Sequence, residues 1–180
     1  RDKYTINPQS KSEKQLKIFE FIGKLFAYII STEVYMPLSL PSFVYKQILD
    51  MPINAKDIEL IDIHSYNSII KVLTSGTKKQ KESLYGIIDF TCQLSNGEIV
   101  ELVPGGKNIM LNEENSSQFL ELYIKVRSTE CSVQVQSIRK GLTSVIPEQI
   151  LKFLTWEDLE QKICGEPFFN LELLKSNTRY

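Results

Sequence analysis

The chain contains 180 residues, of which 42% are hydrophobic, and its 21 basic and 22 acidic side chains give a net charge of −1. These proportions are typical of a folded protein of one domain and exclude a disordered chain. The near-neutral charge argues against a nucleic-acid-binding protein, which needs a basic surface, and the longest apolar run, Leu25 to Ile30, is too short to span a membrane.

Helical patterns dominate the first part of the chain. The apolar spacing predicts helices over residues 13–32, 42–50, 55–61 and 65–74. Ser12 and Gln15 form a capping-box pattern at the start of the first helix, in which each side chain accepts a hydrogen bond from a free amide. The apolar stripe behind them is too wide for a surface helix, so we expect the first helix to be largely buried. The run Lys78–Lys81 is interpreted as a solvated loop rather than a patch that attracts a partner.

The hydrophobic period then changes to two. Apolar residues alternate with polar ones over residues 88–94, and a second predicted strand covers residues 99–103. Asn96-Gly97 between them predicts a tight hairpin turn, because such turns need positive φ angles. Pro104-Gly105-Gly106 predicts a type II turn after the second strand.

The last third of the chain is again helical. Asn112 is followed by two glutamates and predicts a helix N-terminus, because carboxylates favour the positive end of the helix dipole. Further helices are predicted over residues 131–145, 149–154 and 155–164, and Gly165 is a suitable residue just after a helix C-terminus. The sequence therefore predicts a mainly α-helical α+β fold, with one β-hairpin inserted between two helical halves.

The cysteines and the single histidine restrict the possible chemistry. Cys92, Cys131 and Cys164 are an odd number without metal-ligand spacing, and their apolar neighbours predict unreactive, buried thiols of a cytoplasmic or nuclear protein. The polar N-terminal residues do not form a secretory signal. His64 would have to serve any catalytic triad alone, and we expect it to cap or flank a helix instead. We predict no metal site, no cofactor and no self-contained hydrolase.

Several short blocks of sequence, each weak by itself, follow one another in a characteristic order. The blocks are Phe21–Leu25 with Pro37–Leu40, Ile61–Ser68, Val100–Gly106, Asn112–Tyr123, Arg139–Pro147 and Leu159–Gly165. Together they extend over most of the chain. In this order they resemble the N-terminal lobe of HECT-type ubiquitin ligases.

This resemblance implies a specific biochemical role. HECT-type ligases accept ubiquitin from a charged ubiquitin-conjugating enzyme as a thioester on their own cysteine. They then pass it to a lysine of a protein substrate, which is usually selected by other regions of the ligase. By position, residues 1–58 and 132–164 would form the large subdomain of the lobe, and residues 59–131 the small subdomain that docks the conjugating enzyme. Ubiquitin and the conjugating enzyme are the partners this implies, with no nucleic acid and no membrane.

The resemblance places the catalytic cysteine outside this chain. Gly165, Glu166 and Pro167 match the flexible hinge of the family, and residues 168–180 would only begin the C-terminal lobe. The Thr-Cys-Phe type of segment that carries the family's catalytic cysteine is absent from the sequence, so that cysteine would lie beyond Tyr180. We therefore expect this fragment to be inactive by itself.

The conjugating-enzyme-binding groove implied by the resemblance falls on six residues: Ile69, Val72, Ile87, Ile88, Phe119 and Tyr123. An exposed apolar groove with an aromatic anchor forms a desolvated hot spot that suits transient binding. The spacing of Phe119 and Tyr123 puts both rings on one helix face, and we predict that they anchor the partner. For Ile69 and Ile88, a place in the core of the small subdomain is an equally good interpretation.

Two other classes of function fit the same sequence. A HECT lobe without catalytic activity would serve as a non-catalytic scaffold or interaction module. An independent cysteine enzyme would instead form a thioester on one of its own thiols, such as Cys92 or Cys164. We expect no such thioester.

Overall fold

The computed structural model describes residues 4–32, 34–165 and 175–178. Its helices are α1 (Glu13–Thr32), α2 (Ser42–Ile48), α3 (Ile58–Ile61), α4 (Ile63–Ser65), α5 (Lys71–Ser75), α6 (Lys78–Glu82), α7 (Ser116–Thr129), α8 (Ser132–Thr143), α9 (Glu148–Leu151) and α10 (Trp156–Cys164). A π-helical stretch, Tyr66–Ile70, joins α4 to α5, and 3-10 turns cover Ala55–Asp57 and Gly106–Asn108. Strands β1 (Thr91–Gln93) and β2 (Ile99–Glu101) form the sheet. The predicted mainly helical α+β fold is confirmed. None of the helices in these ranges is both long and apolar enough to cross a membrane.

Helix α1 has the predicted boundaries. The Gln15 side chain accepts from the Ser12 backbone N–H at 3.1 Å, and the Ser12 hydroxyl accepts from the Gln15 N–H at 3.4 Å, so the predicted capping box is present. Phe26 is fully buried on the inner face. The prediction of a largely buried helix is wrong, however, since Phe21 and Tyr28 are 63% and 60% exposed. The neighbours α8 and α10 cover only one side of α1.

The lysine-rich run after α5 is a helix rather than the predicted loop. The Thr77 hydroxyl accepts from the Gln80 N–H at 3.4 Å, and the Gln80 side chain accepts from the Thr77 N–H at 2.8 Å. This capping box satisfies amides that a helix start otherwise leaves unpaired. Helix α6 follows directly from it.

The central strands form the predicted hairpin. They pair antiparallel, with Cys92 opposite Val100. Gly97 in the hairpin turn and Gly105 in the turn after β2 have φ angles of 85° and 77°, the left-handed conformation that these turns require. Both strands are shorter than predicted, and the chain before β1 pairs with the segment around Leu111 instead.

Helix α7 begins later than the sequence predicts. The Asn112 N–H donates to the Asn115 side chain at 2.8 Å, and the Asn115 N–H donates to the Asn112 side chain at 2.9 Å. These reciprocal bonds close a turn, so α7 starts only at Ser116. The two glutamates after Asn112 precede the helix and do not occupy its first turn.

The buried side chains form two clusters that come from different parts of the sequence. The large cluster joins α1 and α2 to α8, α9 and α10, and the hairpin cluster joins the helices after α2 to the sheet and α7. The large cluster contains Phe26, Ala27, Ile29, Leu40, Phe43, Val44, Tyr45, Ile48, Val135, Ile138, Leu142, Ile146, Leu151, Leu159 and Ile163. The hairpin cluster contains Ile58, Ile70, Leu73, Phe90, Cys92, Leu102, Leu111, Phe119 and Tyr123. This arrangement favours the predicted division into two subdomains, which stays a prediction.

Helices α1 and α8 pack backbone against backbone at two glycines. A Cβ atom on Gly23 would lie 1.9 Å from the Ile138 carbonyl oxygen. A Cβ atom on Gly141 would lie 1.9 Å from the Glu20 carbonyl oxygen. Only glycine permits so close an approach of two helices. The contact between α1 and α8 joins the two halves of the large cluster.

Candidate docking surface

A short antiparallel ladder before β1 presents apolar side chains to solvent. The Gly86 N–H donates to the Leu111 carbonyl at 2.9 Å, and the Leu111 N–H donates to the Ile88 carbonyl at 2.7 Å. On these paired segments, Ile87 is 77% exposed and Met110 is 48% exposed. We call Ile87 and Met110 the ladder patch. Large apolar side chains exposed on neighbouring segments are typical of a protein-binding surface.

Four of the six predicted groove residues keep part of their surface accessible. Ile69 and Ile88 pack against the hairpin cluster and are only partly buried. Val72 is also partly exposed, on α5, and Ile87 belongs to the ladder patch. Ile69 lies in the π-helical stretch, a local irregularity that is frequent at functional sites.

Phe119 and Tyr123 belong to the interior instead. Phe119 is fully buried and Tyr123 is 3% exposed. The Phe119 ring makes an edge-to-face contact with Phe90 at a centroid distance of 5.3 Å and lies 5.7 Å from the Tyr123 ring. The predicted shared helix face is correct, but that face packs against the hairpin. Because neither ring reaches the surface, the prediction that they contact a partner is corrected: they support the hairpin from inside.

Arg127 continues the buried face of α7 and holds three segments together. It is 4% exposed, and its guanidinium donates to the Gln93 carbonyl at 3.1 Å. It also forms ion pairs with Asp62 at 3.3 Å and with Glu130. Sequence reasoning missed this cluster. The signal was an arginine four residues after Tyr123, on the same apolar helix face.

The carboxylate of Asp62 is the centre of the turn before α4. Burial raises its pKa, but hydrogen bonds from the backbone and hydroxyl of Ser65, together with the Arg127 charge, outweigh burial and hold the pKa of Asp62 below its ordinary value. The His64 backbone N–H donates to the same carboxylate at 3.1 Å, and the histidine is exposed. His64 thus takes part in the cap of a helix, as predicted.

Two of the three cysteines lie where burial disfavours the thiolate. Cys92 is 2% exposed, and burial raises the pKa of Cys92 and of Cys131 to about 11. Cys131 and Cys164 are only partly buried, in contrast to the prediction. The Cys164 thiol donates to the Leu38 carbonyl at 3.1 Å and lies 3.3 Å from the Tyr45 hydroxyl. A reactive cysteine needs an accessible thiolate, so the surroundings of Cys92 and Cys131 do not favour a nucleophile.

Comparison with protein families gives the assignment. The model of the HECT-domain (ubiquitin-transferase) family matches residues 1–180. This chain belongs to the HECT family. The resemblance found in the sequence blocks is thereby confirmed, together with a fold consistent with a HECT N-terminal lobe.

Curated relatives of this HECT chain are much longer proteins. The E3 ubiquitin-protein ligase HUWE1 of Mus musculus is 28% identical over 182 residues, which cover 98% of the chain and 4% of that protein. The E3 ubiquitin-protein ligase HERC2 of Mus musculus is 28% identical over 181 residues, or 100% of the chain and 4% of that protein. The probable E3 ubiquitin-protein ligase HECTD4 of Homo sapiens is 29% identical over 205 residues, or 100% of the chain and 5% of that protein. The chain therefore spans only a small part of each relative's length.

Helix α10 leads to the predicted hinge of the HECT lobe. A Thr155–Asp158 capping box starts this helix, with the Thr155 hydroxyl accepting from the Asp158 N–H at 3.1 Å. The chain leaves it at Gly165, whose φ of 79° lies in the left-handed region that favours glycine. The other hinge residues, Glu166 and Pro167, lie outside the described residues. The hinge and the start of the C-terminal lobe therefore stay predictions.

Proposed function

We propose that this HECT chain is the part of a ubiquitin ligase that docks a charged ubiquitin-conjugating enzyme. The family match over the whole chain carries the proposal. The relatives described above are named as E3 ubiquitin-protein ligases, one of them as a probable ligase. A HECT ligase needs ubiquitin, a conjugating enzyme and a substrate lysine, and we propose the same partners for the protein that contains this chain.

The proposed docking surface consists of the ladder patch and the partly exposed residues beside the hairpin cluster: Ile69, Val72, Ile87, Ile88 and Met110. Fully burying an isoleucine side chain contributes roughly 1.5–3 kcal/mol. Since Ile87 is 77% exposed, its burial under a partner contributes roughly 1–2 kcal/mol. A few contacts of this size suit a transient complex, because the spent conjugating enzyme must leave again.

The proposed reaction is a transfer between two sulfur atoms. A cysteine thiolate of the ligase attacks the thioester carbonyl carbon that links ubiquitin to the conjugating enzyme. A new C–S bond forms, the old C–S bond breaks, and the sulfur of the conjugating enzyme leaves as a thiolate. Burial keeps Cys92 protonated, so we propose that the nucleophile belongs to a C-terminal lobe. The free thiols also support a cytoplasmic or nuclear location.

Calorimetric titration of the chain with a panel of conjugating enzymes tests the docking surface. Ile87→Asp should weaken binding at least ~10-fold, because it loses the apolar contact and desolvates a charge. Ile150→Asp is the matched control. Ile150 is 52% exposed on α9, a helix that packs on the large cluster and not on the hairpin cluster. It should bind like the wild-type chain. Equal affinities of Ile87→Asp and the wild type would contradict the proposed surface.

A non-reducing gel tests where the thioester forms. Incubating the chain with a charged conjugating enzyme should give no thiol-labile ubiquitin adduct on this chain. An adduct that disappears in Cys92→Ser or Cys164→Ser would instead identify an independent cysteine enzyme. The same assay with the full-length protein should give an adduct on a cysteine outside this chain. A full-length protein that binds the conjugating enzyme but never forms an adduct would be a scaffold.

A further inference from the structure

The chain segment that precedes the ladder patch carries an excess of positive charge. Residues 71–82 contain four lysines and one glutamate, a local net charge of +3, although the net charge of the whole chain is −1. Lys71 is exposed on α5. The other three lysines lie on α6, where Lys78 and Lys79 are exposed and Lys81 is partly exposed.

Helix α6 is connected to the ladder patch by hydrogen-bonded turns. The Leu84 N–H donates to the Lys81 carbonyl at 3.0 Å, and the Ile87 N–H donates to the Leu84 carbonyl at 3.2 Å. Two successive turns therefore join α6 to Ile87. Helix α6 also contacts α5, which carries Val72. The end of α6 is thus held close to Ile87 along the chain.

Local ion pairing does not account for these lysines. Lys78 lies at the start of α6, where positive charge opposes the helix dipole, whereas Lys79 and Lys81 lie in its last turn, where positive charge is favourable. The only ion pair that α6 makes among the described residues joins Lys78 to Glu82 at 3.9 Å, with both side chains more than half exposed. Such a pair contributes little.

We infer that Lys71 and the three α6 lysines form a basic rim that selects conjugating enzymes with an acidic rim beside their apolar docking residues. The inference rests on the proposed function, because it assigns a specificity to the same surface. Charge complementarity fixes the kind of partner: opposite charges at the rim speed the encounter, and like charges exclude other conjugating enzymes. Rim charges act mainly on association, so the basic rim sets the rate of capture more than the lifetime of the complex.

Association kinetics test the basic rim. The probe is a conjugating enzyme whose docking residues are flanked by acidic side chains, and the variant is K78E/K79E/K81E. Its association rate at low salt should fall ~10-fold or more, while its dissociation rate changes less than ~2-fold. Added salt should slow association of the wild-type chain, because it screens attraction between exposed charges, but not association of the variant.

The matched control is K14E/K17E/K24E, which changes the net charge equally on α1. It should associate like the wild type. The α6 variant should melt close to the melting temperature of the wild-type chain, because the three lysines are at least partly exposed and make only one weak ion pair among the described residues. A slower association of that variant is therefore not a consequence of unfolding.

The outcomes separate the basic rim from the docking function. If the α6 variant associates as fast as the wild type while Ile87→Asp loses binding, the basic rim is overturned and the docking surface stands. If the control variant slows association equally, net charge acts instead of the rim, and the inference is again overturned. If the wild-type chain binds no conjugating enzyme, the proposed function fails and the basic rim fails with it.

Discussion

The contact between α1 and α8 predicts a large loss of stability for Gly23→Ala. The new Cβ would lie 1.9 Å from the Ile138 carbonyl oxygen and 2.7 Å from the Leu142 nitrogen. Both neighbours are backbone atoms, so no side-chain rotation relieves the overlap, and the helices must separate by about 1 Å. Overpacking of this kind costs typically 1–3 kcal/mol, and the upper end applies here. The better helix propensity of alanine returns about 1 kcal/mol, which leaves a net loss of about 2 kcal/mol.

Urea unfolding followed by circular dichroism measures this loss as a lower free energy of unfolding at an unchanged slope. Gly141→Ala should behave alike, because its Cβ meets the Glu20 carbonyl oxygen at 1.9 Å. Ser117→Ala, at an exposed position of α7, is the control and should change stability by less than about 0.5 kcal/mol. A Gly23→Ala protein as stable as the wild type would show that the helices separate without cost.

Other predictions concern the ion cluster of Arg127 and the thiols. Arg127→Ala should lower the free energy of unfolding by about 3 kcal/mol, since it removes the ion-pair partner of the Glu130 carboxylate and leaves it, among the described residues, only the hydrogen bond from the Ser95 N–H. The loss should be smaller in a Glu130→Ala background, and equal losses would refute the coupling. The lowered pKa of Asp62 stabilises the fold above the pKa of the unfolded side chain, and that contribution is lost as the pH falls through the folded pKa. Melting temperatures measured between about pH 2 and 6 should therefore depend less on pH in Asp62→Asn than in the wild type. Cys92 should resist alkylation by iodoacetamide at pH 8 in the native protein but react in urea, as measured by mass spectrometry, because burial raises the pKa of its thiol to about 11; rapid labelling of native protein would contradict this.

Local signals explain which elements the sequence predicts well. Helices α1 and α10 start at capping boxes made of residues three positions apart, Ser12 with Gln15 and Thr155 with Asp158. Helix α6 starts at the same kind of capping box, in which Thr77 is the N-cap residue. There the lysine content favours a loop, and the capping box outweighs it.

Burial of the aromatic pair on α7 could not be predicted in the same way. The spacing of Phe119 and Tyr123 defines a common face but does not say whether that face meets a partner or the protein's own core. The answer depends on Phe90, which lies 29 positions earlier and reaches Phe119 only through the folded hairpin. The exposure of Ile87 also depends on a distant segment, since its position is fixed by pairing with the chain around Leu111. Long-range packing of this kind leaves no periodic signal in a single sequence.

The pairing of α1 with α8 has a consequence for biosynthesis. About 100 residues separate the end of α1 from the start of α8, and a ribosome adds roughly 5–20 residues per second. Synthesis of α8 therefore follows that of α1 by roughly 5–20 s. During that interval Phe26 and its neighbours lack the cover that α8 provides in the folded protein. A chaperone that binds the emerging polypeptide should consequently act first on the segment around Phe26, well before translation reaches the hinge.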